Sequence, residues 1–333
     1  MRVVVWHPLP EAALAELSRF ADVTMRSPDT EGPGLAEVLV EADGAICLLV
    51  DRLGAAELSG AARLRVVSSV SVGLDHVDVK AATALGIPVG HTPGVLADTT
   101  ADLAFALLLA AARRVVEGDR WVRSGGWARE VDRAFRLDQL LGRDVHGATL
   151  GVIGLGAIGR AVARRAQGFG MRVLGWSRTP QAVPGVEALG LHDLLRSADF
   201  VSVHVALAPE TRGLLGREAL ALLQPHAVLV NTARGGIVDE DALAESLRAG
   251  RLAGAALDVF AREPLSPGSP LLALDNVVLT PHLGSATVAT RARMVSLALD
   301  NLRAGLAFER LPRCANPEVY DTDAYRARRH AAG

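Results

Sequence analysis

Short apolar runs separated by amphipathic stretches divide this chain into two successive series. In the first, Val3–Trp6, Val23–Met25, Ala45–Leu49, Leu64–Ser68 and Pro88–Gly90 read as strands, and Glu11–Phe20 as a helix between them. That alternation predicts βαβ units, a parallel sheet with helices on both faces. A long helix capped by Asp98 or Thr99 is then expected to run to about Arg123. Its Ala/Leu-rich middle is apolar nearly all round, which suits burial between domains or subunits. A loop, Ser124–His146, carries Trp127 and Phe135 among charges; Trp121 and Trp127 read either as core or as anchors of a dimer contact.

The second series begins at Ala148. Thr149–Ile153, Arg172–Trp176, Phe200–His204, Ala227–Asn231, Gly254–Asp258 and Val277–Leu279 make six expected strands, the number of a full dinucleotide-binding domain. The last helix, Thr287–Leu306, follows the completed sheet and is expected to pack back across the domain junction. The tail after Pro312 is polar and has little pattern.

Within the second series, Gly154, Gly156 and Gly159 have the G-x-G-x-x-G spacing. The apolar run Ala148–Ile153 precedes them, and Ile158–Gly170 follows with helical periodicity. Strand before and helix after make the spacing informative. The first glycine permits a tight turn, the second close approach of a pyrophosphate, and the third close helix–strand packing. The helix start offers free N–H groups to the phosphates. The turn, with Leu155, Ala157 and Ile158 between its glycines, therefore reads as a dinucleotide site. An acid about 20 residues beyond such a turn accepts the ribose hydroxyls of NAD. Here that place holds Ser177-Arg178-Thr179. A hydroxyl and a guanidinium suit a 2′-phosphate, so NADPH is the preferred cofactor and NADH the alternative. Otherwise Arg178 is a solvated surface residue and Ser177 a turn former.

With 333 residues, half of them hydrophobic, the chain is long enough for two globular domains. The net charge is −2, with no basic run that would mark a nucleic-acid or membrane surface. Two cysteines, Cys47 and Cys314, in no metal-like spacing argue for a reducing compartment and against a metal site or a disulfide framework. The opening apolar run is too short for a signal peptide, and Leu103–Ala112 is too short to span a bilayer. A cytoplasmic protein is expected.

Arg234, Glu263 and His282 stand at or just beyond the ends of late strands, where ligands bind in an open α/β sheet. Hydride transfer to a keto acid needs a cation for the carboxylate and carbonyl, a role Arg fits. It also needs a proton donor, a role His fits. A carboxylate beside the imidazole would orient it and favour its charged form. On residue type alone, Arg234 and Glu263 read equally as a structural ion pair and His282 as a loop histidine.

Nearly the whole chain resembles the D-isomer-specific 2-hydroxyacid dehydrogenase family. The matching stretches are Ser71–Asp78, Thr92–Asp102, Leu150–Gly159, Leu229–Gly235, Leu257–Pro264 and Pro281–Thr287. The resemblance implies two Rossmann-like doubly wound α/β domains with a cleft between them. Residues 1–98 and 287–333 would form a discontinuous substrate domain, and 99–286 the NAD(P)-binding domain. It makes Arg234 the substrate-binding arginine, Glu263 the orienting glutamate and His282 the general acid/base. It further implies substrate contacts at Leu49, Val72, Gly73 and Ser285. Thr99, Thr232, Ala233, Asp258 and Gly284 would lie near the nicotinamide side of the cofactor, and Ala206, Pro209 and Thr211 beneath the adenine.

Within the family the chain is most similar to glyoxylate/hydroxypyruvate reductases, on Ser177-Arg178, Gly125-Gly126-Trp127 and His282–Thr287. Members with that loop place an aromatic residue near the partner's active site, which makes Trp127 a candidate and a homodimer the expected assembly. The expected activity is reduction of small 2-keto acids. Two rivals remain: an NAD-dependent dehydrogenase of a larger or phosphorylated D-2-hydroxy acid, and a dinucleotide-sensing protein like the family's corepressors.

Overall fold

The computed structural model describes residues 1–26, 34–129 and 136–331, so Phe135 lies outside the described residues. The chain forms two compact units, Met1–Val95 with Thr287–Gly333, and Leu96–Ala286.

The first unit starts with β1 (Arg2–Val5), α1 (Glu11–Leu17), β2 (Asp22–Met25), α2 (Leu35–Leu39) and β3 (Gly44–Cys47). It continues with α3 (Ala55–Ser59), β4 (Val66–Ser69), α4 (Val79–Ala84) and β5 (Val89–Gly90). The five strands are parallel in the order β2-β1-β3-β4-β5. Both faces are buried, as parallel sheets require. Val4, Ala45, Cys47 and Val67 enter one core, and Val3, Val5, Ile46 and Val66 the other.

The second unit opens with α5 (Ala97–Ala112), α6 (Val115–Arg123) and α7 (Gly126–Arg129). The single long helix expected here is therefore broken. Arg114 takes a left-handed φ of 51°, and the Arg143 N–H donates to the Ala112 carbonyl at 2.8 Å, occupying an acceptor at the helix end. The cap differs too. Leu96 occupies it without a side-chain bond, while Asp98 and Asp102 sit on α5 and pair with Arg164 and Arg165. Trp121 and Trp127 lie 6.5 Å apart, centroid to centroid, and Trp127 is 48% exposed.

The sheet of this unit comprises β6 (Thr149–Ile153), β7 (Arg172–Trp176), β8 (Glu187–Ala188), β9 (Phe200–Val203), β10 (Val228–Asn231), β11 (Gly254–Leu257) and β12 (Val277–Leu279). The connecting helices are α8 (Ala157–Gly168), α9 (Leu191–Ser197), α10 (Arg217–Leu220) and α11 (Glu240–Arg248). All seven strands are parallel, ordered β12-β11-β10-β9-β6-β7-β8. The order reverses between β6 and β9, the point outside which open α/β sheets bind ligands. The seventh strand, β8, is absent from the sequence reading because two residues carry no alternation to read.

The chain then returns to the first unit. Thr287 caps α12 (Val288–Leu306), accepting from the Thr290 N–H at 3.2 Å. Leu299, Leu302 and Leu306 pack on the Val3/Val5 face of the first sheet. Gly305 allows this approach, since a Cβ there would lie 2.4 Å from Val66 Cβ. The tail is more ordered than its polarity suggests: a 3-10 turn at Pro317–Asp321 leads into α13 (Asp323–Ala331). Arg328 donates to the carbonyls of Leu85 (2.6 Å), Ala62 (2.7 Å), Leu64 (2.9 Å) and Ala61 (3.2 Å). Arg328 thereby satisfies four carbonyls, and buried Tyr325 packs its ring against Tyr320 and Phe308, so the polar tail is held by long-range contacts and not by an apolar run. No helix among the described residues is long and apolar enough to cross a membrane.

Candidate active site

Three neighbouring strands, β10, β11 and β12, end in the loops that carry Arg234, Glu263 and His282. Asn231, 1% exposed at the end of β10, shapes the first loop: its Oδ1 accepts from the Ala233 N–H and its Nδ2 donates to the Arg234 carbonyl, both at 3.0 Å. Gly235 lets this loop touch the second, because a Cβ there would fall 1.8 Å from the Phe260 carbonyl carbon. Glu240, at the start of α11, accepts from the Ala261 N–H and steadies the second loop.

His282 Nδ1 lies 2.8 Å from Glu263 Oε2, and Glu263 Oε1 accepts from the Phe260 N–H at 2.9 Å. Burial raises the Glu263 carboxyl, but the bonds from His282 and Phe260 and the charges of His282 and Arg234 outweigh it and hold it below its usual range. The pair is sheltered, each side chain about one-quarter exposed.

Asp258 is fully buried and organises the loop around His282. Its Oδ1 accepts from Thr280 Oγ1 and the Leu283 N–H, both at 2.7 Å, and its Oδ2 from the Gly284 N–H at 2.8 Å. Its carbonyl takes the His282 N–H at 2.9 Å. Burial pushes its carboxyl up, partly offset by these donors and by the charge of His282. His282 itself has a left-handed φ of 53°, an uncommon choice for a residue with a Cβ. A charged residue buried at the end of the apolar strand Gly254–Leu257 was the readable signal for Asp258 as an organiser; Thr280 and Asn231 gave less, being polar residues common at strand ends.

The glycine turn after β6 has the close approaches its spacing implies. Gly154 adopts φ 102°, and a Cβ there would lie 2.6 Å from the His204 backbone. A Cβ on Gly159 would lie 1.9 Å from the Gly154 carbonyl oxygen. Gly156, the N-cap of α8, faces open space, and Ala157 and Ile158 form the first turn behind it. Leu155 is buried, and its carbonyl takes Arg160 Nε at 2.8 Å. This cradle of bare backbone at a helix start fits a pyrophosphate. At the end of β7, Ser177 Oγ donates to the Thr179 carbonyl at 2.8 Å, and exposed Arg178 sits 3.8 Å from Glu210. Thr211 locks the loop after β9: its Oγ1 donates to the Ala206 carbonyl at 2.6 Å and accepts from the Ala208 N–H at 2.8 Å, with Pro209 between.

The remaining positions fall into two groups. Thr99 lies in the first turn of α5. Thr232 and Ala233 precede Arg234, and Ser285 follows Gly284, so these belong to the second unit with the three loops above. Leu49, in the turn after β3, and Val72 and Gly73, after β4, belong to the first unit.

A parallel seven-stranded sheet with a glycine turn at its switch point defines a Rossmann-type dinucleotide-binding domain. Residues 105–284 match the D-isomer specific 2-hydroxyacid dehydrogenase NAD-binding domain. A glyoxylate reductase of Korarchaeum cryptofilum is 45% identical over 326 residues, 96% of each chain. Among solved structures, the TT0316 protein of Thermus thermophilus is 48% identical, with a TM-score of 0.88, over 95% of this chain and 100% of that one. An NADPH-dependent glyoxylate/hydroxypyruvate reductase of Sinorhizobium meliloti, solved with NADP and malonate, is 34% identical, with a TM-score of 0.85, over 95% and 97%. The chain belongs to the D-isomer-specific 2-hydroxyacid dehydrogenase family. It is an oxidoreductase that binds a nicotinamide dinucleotide.

Proposed function

We propose that the protein reduces small 2-keto acids, glyoxylate and hydroxypyruvate first among them, to 2-hydroxy acids, with NADPH preferred over NADH. The observation that carries this reading is the 2.8 Å contact of His282 Nδ1 with a Glu263 carboxylate that is itself held by the Phe260 N–H. Glu263 engages Nδ1 and leaves Nε2 as the nitrogen that exchanges a proton. The Glu263 carboxylate fixes the orientation of the ring, and His282 delivers its proton from Nε2 to the carbonyl oxygen as the alkoxide forms. The bound reduced nicotinamide supplies the hydride to the carbonyl carbon. Arg234 binds the substrate carboxylate and polarises the carbonyl, assisted by the Val72 and Gly73 amides. Asp258 holds the loop that presents His282. The reductase names of the Korarchaeum and Sinorhizobium relatives support glyoxylate and hydroxypyruvate as substrates. Trp127, about half-exposed beside Trp121, supports a homodimer that buries it.

Arg178, with no acid at the end of β7, carries the NADPH preference; the Glu210 carboxylate 3.8 Å away is the group a 2′-phosphate must displace or share. Initial rates with NADPH and NADH against glyoxylate, hydroxypyruvate and pyruvate test both halves. Fast turnover of the first two acids with NADPH is expected. Arg178→Ala should raise KM for NADPH about tenfold and leave that for NADH within about twofold, as loss of a charge-assisted contact implies. Equal effects on both cofactors, or a wild-type preference for NADH, remove the cofactor claim and leave the His282 chemistry standing.

A further inference from the structure

At the end of β4 the chain passes through Ser71, Val72 and Gly73, and three successive carbonyls there are each tied to a donor within the first unit. The Ser71 carbonyl accepts from the Thr92 N–H at 2.8 Å. The Val72 carbonyl lies 3.3 Å from His91 Nδ1. The Gly73 carbonyl accepts from Ser71 Oγ at 2.8 Å. A trans peptide points its N–H opposite to its C=O, so tying a carbonyl aims the amide of the following residue. The first two ties aim the Val72 and Gly73 amides, and the third fixes the peptide that leads out of the turn. Among the described residues neither the Val72 nor the Gly73 N–H has a hydrogen-bond partner. Two consecutive amides held in this way are left to meet an anion together.

Behind the turn lies a chain of buried polar groups. Ser69 Oγ is 2.7 Å from Ser71 Oγ and 3.0 Å from His76 Nε2. Ser69 is fully buried, Ser71 is 4% exposed and His76 9%. Proton counting gives this chain a direction. A serine hydroxyl has one proton. Ser71 gives its proton to the Gly73 carbonyl, so Ser69 must donate to Ser71 and His76 Nε2–H must donate to Ser69. We propose that Ser71, fed by Ser69 and His76, is a positioning residue: its bond to the Gly73 carbonyl closes a ring that contains both the Val72 and the Gly73 peptides, and so keeps the two amides that the Thr92 and His91 ties aim in the orientation that binds the substrate carboxylate. This rests on the reductase reading above, in which those amides meet the substrate. The three side chains do not touch the reacting atoms; they act through the backbone.

The test is Ser71→Ala beside Ser71→Thr and Ser69→Ala, each assayed with glyoxylate at saturating NADPH. Oxamate, a non-reacting keto-acid analogue, is titrated into the NADPH complex, and NADPH Kd and Tm are measured on each variant. Ser71→Ala should raise KM and oxamate Kd about tenfold, as expected for a lost buried hydrogen bond. Its kcat and NADPH Kd should stay within about twofold, and Ser71→Thr should recover most of the loss. Ser69→Ala should give a smaller shift of the same kind. If Ser71→Ala does not fold, the Ser69→Ala and Ser71→Thr pair decides by the same KM-against-kcat split. An active wild type whose folded variants keep KM and oxamate Kd unchanged overturns the positioning role alone. So do variants in which NADPH Kd moves as far as KM, because that is general damage. A wild type that reduces none of the keto acids overturns the reductase reading and this role with it.

Discussion

After β6 the chain turns through Gly154, Gly156 and Gly159, and the turn works because side chains are missing: Cβ atoms at the first and third would lie 2.6 and 1.9 Å from backbone atoms. After β4 it turns through Val72 and Gly73, and that turn is held because side chains are present, with Ser71 and His91 meeting its carbonyls. The two sheets have the same parallel architecture, and both turns leave backbone N–H groups to meet an anion. The glycine turn gains close approach for a long, doubly charged pyrophosphate at a helix start. The serine-held turn gains a fixed direction for two amides, which the proposed reading gives to a single small carboxylate. Bare backbone suits extent, and tied backbone suits aim.

The contrast can be broken or sharpened by substitution. The largest effect belongs to neither turn. His282→Ala should lower kcat about a hundred- to ten-thousandfold, as loss of a positioned proton donor does, with NADPH Kd nearly unchanged. Near-wild-type turnover in steady-state assays would remove His282 from the chemistry. The next effect is at the glycine turn. Gly159→Ala should weaken NADPH binding and cost about 1–3 kcal/mol of stability, because the new methyl has no room. Fluorescence titration and urea unfolding read these together, and a variant that binds NADPH normally would show that the turn can adapt.

The smallest effect is on stability against acid. His204, just beyond β9 and against Gly154, has its Nδ1 buried and its Nε2 2.7 Å from Ser202 Oγ. Burial pushes its pKa down from 6.5 to about 3. The unfolded chain therefore takes up a proton below about pH 6.5 that the folded chain refuses, so stability is present above that pH and drains as the pH falls toward 3. Between about pH 6.5 and 5.5 this residue should account for about 1 kcal/mol. Urea midpoints of His204→Asn should fall less steeply over that range than those of the wild type; parallel slopes would place the acid sensitivity elsewhere.

Period and punctuation sufficed for the fold class. Two-faced apolar runs such as Val3–Val5 and Leu150–Ile153 have no stable place except a parallel sheet covered on both sides, and Gly154, Gly156 and Gly159 between a strand and a helix point to a dinucleotide. These are local facts, carried by residues a few positions apart, and the family resemblance added the order of several such stretches. Long-range partners stayed hidden. The break at Arg114 goes with the N–H of Arg143, the two-residue β8 pairs only with β7, and α13 is held by Arg328, which reaches four carbonyls of the first unit, and by Tyr325 against Tyr320 and Phe308. At the site, residue type singled out Arg234, Glu263 and His282, but left open whether Glu263 would pair with the arginine or orient the histidine. The tertiary structure places Glu263 Oε2 at His282 Nδ1 and gathers the His282 loop on the buried Asp258. A hydrogen bond is made or lost within a few tenths of an ångström. Residues 19 and 24 positions apart reach that tolerance only when strands, loops and core have packed around them.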